Sequence, residues 1–229
     1  MNVAIVIPAL NEVATIAQVV RSVSVHGNAI VVDDGSTDAT GGAARAAGAS
    51  VVRHPENRGY DAAIDSGFRA AQEAGAELVI TFDADGQHSA ATLAKMISQA
   101  ESGQIDMVLG VRRTAARFGE HLFNLYVRRR FGVADILCGL KAYRMHLYDT
   151  YGPFDREPSI GTRLALDALR GGARMATVAV PIASRLDRPR MGTRWRANAR
   201  IIAALVRAVG TDLRGSWKAI TGNSVRRAS

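Results

Sequence analysis

Two acidic side chains with one residue between them, Asp83 and Asp85, directly follow an apolar run at residues 79–82. A short apolar run that ends in polar and glycine residues is typical of a buried strand, so both carboxylates are expected at its tip. Carboxylates suit hard divalent cations, and such cations in turn bind the phosphate groups of a substrate. The simpler interpretation is a polar turn, because Asp and Gly are common turn residues.

Acidic residues also follow two earlier apolar runs. Glu12 comes soon after the run at residues 3–7, and Asp33 and Asp34 end the run at residues 30–32. Ligands of α/β proteins bind beyond the carboxyl ends of parallel strands, so these acids should meet around one ligand. The sequence contains neither a Gly-x-Gly-x-x-Gly after the first run nor a P-loop, so a cation is expected to hold the phosphates. Together the acids indicate a nucleotide site, although each alone could simply complement a helix dipole.

Strand-like and helix-like segments alternate around these acids. Predicted strands cover residues 3–7, 30–32, 50–53, 78–82 and 106–110, and predicted helices cover about 12–25, 59–74 and 90–101. A further Ala-rich helix is expected to be capped by Ser36 or Thr37. Beyond them we expect an edge strand within 135–144, a helix at 162–170, a strand at 175–180 and a helix at about 195–209. Because parallel strands need crossover connections, the pattern predicts an α/β fold with a mostly parallel sheet flanked by helices.

Composition restricts the class of protein further. A length of 229 residues with 48% hydrophobic residues fits one folded domain and excludes a largely disordered chain. The one cysteine, Cys138, is compatible with a reducing, cytoplasmic location. No apolar run has the length of a transmembrane helix, and the first run is too short for a signal peptide. The net charge of +8 favours anionic partners, but the 6% of aromatic residues are scattered and do not favour nucleic-acid stacking.

Motifs spread over residues 3–181 occur in the order found in a known family. They are Val-Ile-Pro-Ala-Leu-Asn-Glu ending at Glu12, Val-Val-Asp-Asp-Gly-Ser-Thr-Asp ending at Asp38, Asn-Arg-Gly ending at Gly59, Phe-Asp-Ala-Asp-Gly-Gln-His ending at His88, Gly-Val-Arg ending at Arg112, and the segment 135–144. They resemble family 2 glycosyltransferases of the GT-A fold, and among these the dolichyl- and polyprenyl-phosphate sugar synthases. The resemblance implies one GT-A domain over residues 1–229. Residues 1–110 would form its nucleotide-sugar and metal half, and residues 111–229 its acceptor half with basic C-terminal helices.

Carried over residue by residue, the resemblance implies a nucleotide pocket and a metal site. Asp83 and Asp85 match the family's Asp-x-Asp motif, and Gln87 matches a position that can join the metal shell. Mg²⁺ or Mn²⁺ is therefore the implied cofactor, and a UDP- or GDP-sugar the implied donor. One of the two aspartates after the second strand would read the base. The implied nucleotide-binding positions are Pro8, Ala9, Leu10, Glu12, Asp33, Asp34, Arg58 and Ala84.

The implied reaction is an inverting displacement at the anomeric carbon of the donor sugar. Arg112 matches an arginine near the donor phosphates, where it would help the cation to offset the charge of the leaving diphosphate. A hydroxyl acceptor would also need a general base. Residues 158–163 lack the acid that many relatives carry there, which leaves Asp135 and Asp155 as candidates. The catalytic candidates are thus Asp83, Asp85, Arg112 and Asp135.

The missing acid favours a phosphate acceptor, because a phosphate monoester with a second pKa of about 6 is already ionised at neutral pH. Arg188, Arg190 and Arg194 have a spacing similar to an acceptor loop of the family and would bind a polyprenyl phosphate. A solvated basic loop is the alternative interpretation. Val111 and Asp61 stand where small residues are usual in the family, which leaves the shape of the sugar pocket open.

The predicted helix at about 195–209 places Arg196, Arg200 and Arg207 on one narrow stripe. Apolar surface beside this stripe comes from Ile201, Ile202, Leu205 and Val209. A basic amphipathic helix can lie on an anionic membrane, which would give a cytoplasmic protein a peripheral membrane contact. It can equally pack its apolar side on the sheet and expose its arginines.

Two other functions compete with the polyprenyl-phosphate hypothesis. A hydroxyl acceptor, such as a sugar, a glycolipid or a small metabolite, would use the same donor chemistry. A nucleic-acid-binding protein on a degenerate scaffold of this family would use the positive charge alone. The presence of Glu12, Asp83 and Asp85 argues against the second of these, because a binding protein does not need them; no nucleic-acid partner is therefore expected.

Overall fold

The computed structural model of the chain describes residues 1–86, 88–101, 103–113, 117–153, 158–181 and 194–225. Strands and helices alternate in it as the sequence predicts. The strands are β1 Val3–Ala9, β2 Asn28–Asp33, β3 Ser50–Arg53, β4 Leu78–Thr81, β5 Met107–Arg112, β6 Lys141–Arg144 and β7 Met175–Val180. The helices are α1 Ile16–Val23, α2 Thr40–Ala46, α3 Tyr60–Glu73, α4 Ala90–Glu101, α5 Phe118–Phe131, α6 Met145–Tyr151, α7 Arg163–Arg170 and α8 Arg194–Val225.

The strands form one seven-stranded sheet in the order β3-β2-β1-β4-β6-β5-β7. Neighbours from β3 to β4 are parallel, as are β5 and β7, whereas β6 runs antiparallel to both β4 and β5. Side chains alternate between two buried apolar clusters. One cluster lies under α3, α5, α6, α7 and α8, and the other under α1, α2 and α4. The predicted α/β fold with a mostly parallel sheet between helices is confirmed.

The predicted edge strand within 135–144 is wrong in its position. Its ordered part, β6, lies in the interior of the sheet, and Lys141, Ala142 and Tyr143 are all buried. A short strand that begins with lysine resembles an edge strand, because exposed edges commonly carry Lys. Here the ammonium of Lys141 instead donates a 2.7 Å hydrogen bond to the carbonyl of Gly161, so the charged side chain is satisfied inside the fold.

Two predictions about local structure also need correction. The first helix begins at Ile16 rather than near residue 12, because Glu12 opens a turn in which its carbonyl accepts the backbone N–H of Ile16 at 2.9 Å. Neither Ser36 nor Thr37 caps α2, whose N-cap is Ala39. Both hydroxyls bond to Asn11 instead, so they join the loops after β1 and β2.

Helix α8 is longer than the predicted helix and is oriented differently. Ile201 is buried and Leu205 is partly buried against the core, but Ile202 is exposed, so the predicted apolar side is divided between core and solvent. Arg200 is exposed, whereas Arg207 is half-buried. Among the helices that the structure describes, none is both long and apolar enough to cross a membrane.

Candidate functional site

The loop that follows β1 is tied to the loop that follows β2. Asn11 adopts a left-handed backbone conformation with φ of 52°. Its N–H donates to the hydroxyl of Ser36 at 2.9 Å, and its side-chain oxygen accepts the N–H of Thr37 at 2.8 Å. Glu12 is buried, and its N–H donates to the hydroxyl of Thr40 at 2.7 Å. Adjacent strand ends of the sheet therefore form one connected wall.

Asp33 is completely enclosed at the end of β2. One carboxylate oxygen accepts the N–H of Ser36 at 3.0 Å, and the other lies 3.7 Å from the guanidinium of Arg53 and has no hydrogen-bond partner. A side chain on Gly41 would place a Cβ 2.5 Å from that oxygen. Glycine at this position of α2 therefore leaves the room that the carboxylate occupies.

Asp34 holds the segment that leads into α3. Its carboxylate accepts the N–H of Arg58 and the N–H of Gly59, both at 2.9 Å, and lies 2.6 Å from Nδ1 of His54. The other ring nitrogen of His54 is 2.9 Å from the hydroxyl of Ser66. Asp34 thus organises the backbone around the predicted nucleotide contact Arg58. Base recognition by Asp33 or Asp34 stays a prediction.

Asp83, at the carboxyl end of β4, is held by two side chains that the sequence did not single out. One oxygen accepts the hydroxyl of Tyr60 at 3.2 Å, and the other lies 3.0 Å from Nε2 of His88. Burial favours a raised pKa of Asp83, but the hydrogen bond and charge of His88, with help from Tyr60 and Lys141, outweigh burial, so this pKa is below its ordinary value. For His88 burial acts to lower the pKa. The hydrogen bond to Asp83 and the charges of Asp83 and Asp85 outweigh burial, so the pKa of His88 is above its ordinary value. The carboxylate of Asp83 is thus kept ionised at neutral pH.

The segment before β6 crowds against the same carboxylate. A Cβ on Gly139 would lie 2.2 Å from a carboxylate oxygen of Asp83, so only glycine allows this approach. The carbonyl of Gly139 accepts the hydroxyl of Thr81 at 2.6 Å. Strand β4 and the segment before β6 therefore fix Asp83 from both sides.

The carboxylates of Asp83 and Asp85 are of the donor type that suits Mg²⁺ or Mn²⁺ bound together with a substrate. Among the described residues, no three His, Cys, Asp or Glu side chains gather as a metal cluster. Mg²⁺ commonly binds through one or two carboxylates plus water and substrate phosphates, so a complete protein cage is not required. Asp85 is half-buried beside Asp83. The third predicted ligand, Gln87, lies outside the described residues.

Arg112 and Asp135, two predicted catalytic residues, are partners of each other. Nε and one terminal nitrogen of Arg112 donate to the Asp135 carboxylate at 2.7 and 3.0 Å. Glu120 lies 3.5 Å from the same guanidinium. Burial favours a raised pKa of Asp135, but the hydrogen bonds and charge of Arg112 hold that pKa below its ordinary value. A carboxylate held in this way orients Arg112 and is a poor general base.

A second cluster, centred on Asp61, was not predicted from the sequence. Asp61, at the start of α3, accepts the N–H groups of Ser159, Ile160 and Gly161 at 2.8 to 3.1 Å and the hydroxyl of Ser159 at 2.6 Å. Ile160 and Gly161 have positive φ values of 58° and 66°. Strain of this kind persists where surrounding contacts hold it. Asp61 therefore holds this loop from helix α3, and its carboxylate is occupied by these four hydrogen bonds.

Lys141 connects this cluster to Asp83. Its side chain is buried, and burial lowers its pKa below the ordinary value. The charges of nearby groups act in the opposite direction but do not outweigh burial: Cys138, Asp135, Asp83 and Asp61. The sequence signal for this cluster was Asp61 itself, an acid where small residues are usual in the family. That signal did not show that residues 159–161 are its partners.

The remaining predicted site residues are placed as follows. Pro8 and Leu10 are half-buried and Ala9 is buried at the end of β1, Ala84 is buried between the two aspartates, and Arg58 is exposed. Arg194 is the first residue of α8. Arg188, Arg190 and Asp155 lie outside the described residues.

Comparison with known proteins gives consistent results. A family model described as "Glycosyl transferase family 2" matches residues 4–151. An uncharacterized glycosyltransferase of Mycobacterium tuberculosis is 33% identical over 188 residues, which cover 78% of this chain and 84% of the relative. An undecaprenyl-phosphate 4-deoxy-4-formamido-L-arabinose transferase of Pseudomonas fluorescens is 36% identical over 167 residues, 64% of this chain and 48% of the relative. This chain therefore spans about half the length of that lipid-phosphate transferase.

A solved structure matches most of the chain in space. Glucosyl-3-phosphoglycerate synthase from Mycobacterium tuberculosis, in complex with Mn²⁺, UDP-glucose and phosphoglyceric acid, superposes with a TM-score of 0.74 at 26% sequence identity. The match covers 91% of this chain and 80% of the synthase. The sheet and its helices are thus arranged as in an enzyme that binds a nucleotide sugar and a divalent cation together.

Proposed function

This chain belongs to glycosyltransferase family 2, and from that membership we propose that it transfers a sugar from a nucleotide-diphosphate sugar to a polyprenyl phosphate. The observation that carries the proposal is the carboxylate of Asp83, which is hydrogen-bonded to Tyr60 and His88 and lies against Gly139. It lies at the sheet edge where the loops after β1 and β2 form a connected wall. A site with this arrangement suits a diphosphate and its counter-ion.

On the donor side, the proposed nucleotide contacts are the residues from Pro8 to Glu12 together with Arg58. The hydrogen bonds from Asn11 and Asp34 fix these two segments before a ligand arrives, so little ordering would oppose binding. A UDP-sugar is the preferred donor class. It is supported by the UDP-glucose bound to the structural neighbour.

A divalent cation bound at Asp83 and Asp85 would offset the negative charge that develops on the leaving diphosphate. The chain's own residues prepare the site for this charge. His88 and Tyr60 hold Asp83 in one orientation and keep it ionised. Asp135 and Glu120 hold the guanidinium of Arg112 in a fixed position, which we propose faces the donor phosphates.

On the acceptor side, the chemistry of the loop favours a phosphate nucleophile. Residues 158–163 carry no carboxylate, and the carboxylate of Asp61 beside them accepts four hydrogen bonds. A hydroxyl needs a base to remove its proton, whereas a phosphate monoester is already ionised at neutral pH. We propose Arg188, Arg190 and Arg194 as residues that bind this phosphate. The relatives named for undecaprenyl phosphate support the same acceptor class.

The test is a product analysis with the purified protein, labelled UDP-sugars, Mn²⁺ and polyprenyl phosphate in detergent. We expect the label in an acid-labile product that extracts with the lipid, and no product when a chelator is present. The anomeric configuration of that product, read by NMR, reports whether the transfer inverts. Label that appears only on water-soluble acceptors would contradict the lipid-phosphate proposal.

A second candidate is transfer to the hydroxyl of a small phosphorylated acid. It is favoured by the structural neighbour, which binds phosphoglyceric acid and matches 91% of this chain. A parallel reaction with phosphoglyceric acid in place of the lipid distinguishes the two. A soluble labelled product in that reaction alone would establish the second candidate.

A further inference from the structure

The helices α5 and α8 carry most of the exposed large hydrophobic side chains of the described residues. Eleven such side chains are exposed, and seven of them lie on these two helices. A concentration of this kind marks an interaction surface, whereas scattered exposed hydrophobic residues are ordinary. The seven are Phe118, Leu122, Leu125, Trp195, Ile202, Val206 and Leu213, with exposed fractions between 36% and 78%.

On α8 the exposed side chains form one line. Trp195, Ile202, Val206 and Leu213 are separated by seven, four and seven residues. At about 100° per residue, these steps place them within about 40° of one another around the helix axis. The side that packs on the core is different and carries Ala197, Ile201, Ala204 and Ala208, all buried. Helix α8 thus has one apolar face for the core and another for the outside.

On α5 the same division is found. Phe118, Leu122 and Leu125 are exposed and share one side of the helix with Arg129. Phe123 and Val127 are fully buried on the other side. A solvated helix face is usually polar, so an outward stripe in which three of four residues are apolar is unusual.

The two stripes lie next to each other. The N–H of Gly119 donates to the side chain of Asn198 at 3.0 Å, and the hydroxyl of Tyr126 donates to Asp212 at 2.5 Å. The helices therefore run side by side in the same direction. Around the axis of each helix, the outward stripe lies about 90° from the side that contacts the other helix. It also faces away from the core. Both stripes consequently belong to one outward surface, which we name the α5–α8 face.

The exposed charges around this face are positive. The two helices contain only two acidic residues, Glu120 and Asp212. Glu120 is buried and pairs with Arg112 and Arg117. Asp212 pairs with Arg170 and Arg130. The exposed charges of the described part of these helices are those of arginines. Arg129 lies in the outward stripe of α5, and at about 100° per residue the others lie about 90° to 140° from the stripes: Arg128, Arg130, Arg200 and Arg214.

We propose that the α5–α8 face docks the protein on the surface of an anionic lipid bilayer. Apolar side chains flanked by arginines match the boundary between acyl chains and negatively charged headgroups. A second copy of the chain would bring the same positive face against itself if it docked with two-fold symmetry, which opposes that occupant. The proposal extends the proposed function, since a lipid acceptor resides in such a bilayer, but bilayer binding itself requires neither donor nor acceptor.

The experiment is co-sedimentation of the whole chain with vesicles of phosphatidylcholine alone or mixed with phosphatidylglycerol. We expect binding to the mixed vesicles that weakens as salt is raised. The substitution pair Ile202→Gln and Val206→Gln should lower the partition coefficient by about tenfold or more. The pair Arg128→Gln and Arg129→Gln should lower it by about thirtyfold, because each nearby arginine contributes about fivefold.

Matched controls lie on the opposite side of the sheet. The pair Arg21→Gln and Arg45→Gln removes the same charge from α1 and α2, where both arginines are exposed, and should leave vesicle binding nearly unchanged. Stabilisation by UDP and Mn²⁺ in a thermal-shift assay verifies that each variant is folded. If the wild-type protein binds anionic vesicles but does not transfer sugar to polyprenyl phosphate, the result counts against the proposed function and not against the docking proposal.

Three outcomes would overturn the docking proposal. The first is wild-type protein that does not bind the anionic vesicles. The second is equal loss of binding in the α5–α8 variants and in the controls. The third is a concentration-dependent dimer, seen by sedimentation velocity, that the substitutions at Ile202 and Val206 abolish while vesicle binding is absent. That result would assign the face to a second copy of the chain.

Discussion

The proposed donor side and the proposed acceptor side of the site are held together in different ways. On the donor side, Asp34 binds residues 24 and 25 positions away, and Asn11 binds residues 25 and 26 positions away. On the acceptor side, Asp61 binds a loop about 98 to 100 positions away. The donor side is thus built from adjacent βα units, whereas the acceptor side joins the two halves of the chain.

This difference explains which changes should affect which substrate. A donor-side change alters a site that neighbouring strand ends already define, and it should weaken nucleotide binding directly. An acceptor-side change loosens a long-range contact and should spare the nucleotide. Asp83 lies between the two, because Tyr60 of α3 and Gly139 before β6 both contact it.

The largest expected effect follows from the substitution Asp85→Asn. It removes one of two negative charges that would hold the cation, so we expect transfer to fall by about a thousandfold or more. Initial rates with a UDP-sugar and Mn²⁺ measure this. Asp149→Asn, an exposed aspartate on α6 that bonds to Gln72, is the control. A variant that retains the wild-type rate would remove the acidic pair from the reaction.

A smaller effect is expected for Gly139→Ala. The new Cβ would lie 2.2 Å from the Asp83 carboxylate, so that side chain must move. A displacement of about 1 Å at a reacting site can cost about a hundredfold in rate, and we expect a loss of that order. Gly42→Ala is the control, because nothing lies within 4 Å of its added Cβ. Equal activity of the two variants would mean that Asp83 does not need its present position.

A still smaller and more selective effect is expected for Asp61→Ala. The loop at residues 159–161 would lose four hydrogen bonds, so its strained backbone should relax. We expect kcat/KM for the acceptor to fall by about tenfold or more while the affinity for UDP stays the same. Asp61→Asn, which keeps one acceptor oxygen, should lie between the two. Weakened UDP binding in Asp61→Ala would break the distinction between the two sides.

The last prediction concerns the reactivity of a buried thiol rather than a rate of transfer. Cys138 directly precedes Gly139 in the chain. Burial raises the pKa of its thiol to about 11. Because this pKa is well above that of an ordinary thiol, the thiolate fraction at pH 8 should be about a hundredfold below that of an ordinary thiol. A thiol reagent at pH 8 should therefore modify the native protein far more slowly than the urea-unfolded protein. Similar rates in both states would indicate that the segment before β6 is open.

The fold around the proposed donor side could be predicted from the sequence because its information is local. Each acid there follows an apolar run directly or within a few residues, and the order of runs and helices determines that the strand ends meet. The predicted strand at residues 50–53 and the predicted helix at residues 90–101 agree with β3 and α4. What the sequence did not show is that Asp34 is used to hold the segment at Arg58.

The acceptor side could not be predicted because its partners are far apart in the chain. Asp61 stood out only as an unusual residue, and its partner loop has no acid or other signal that points back to α3. The interior position of β6 was not predicted because the strand begins with Lys141. Lysine is usually exposed, whereas this one is buried. Helix α8 carries apolar residues on two sides, and hydrophobic spacing alone does not show which side faces the core and which faces outward.

The central claim, that a divalent cation links Asp83 and Asp85 to the diphosphate of the donor, is tested most directly by calorimetric titration of UDP. The titration compares the wild type, Asp85→Asn and Asp61→Ala, each with Mn²⁺ and with a chelator. We predict that Mn²⁺ tightens UDP binding by about a hundredfold in the wild type and in Asp61→Ala, and has almost no effect in Asp85→Asn. UDP affinity that is the same with Mn²⁺ and with the chelator in the wild type would contradict the claim.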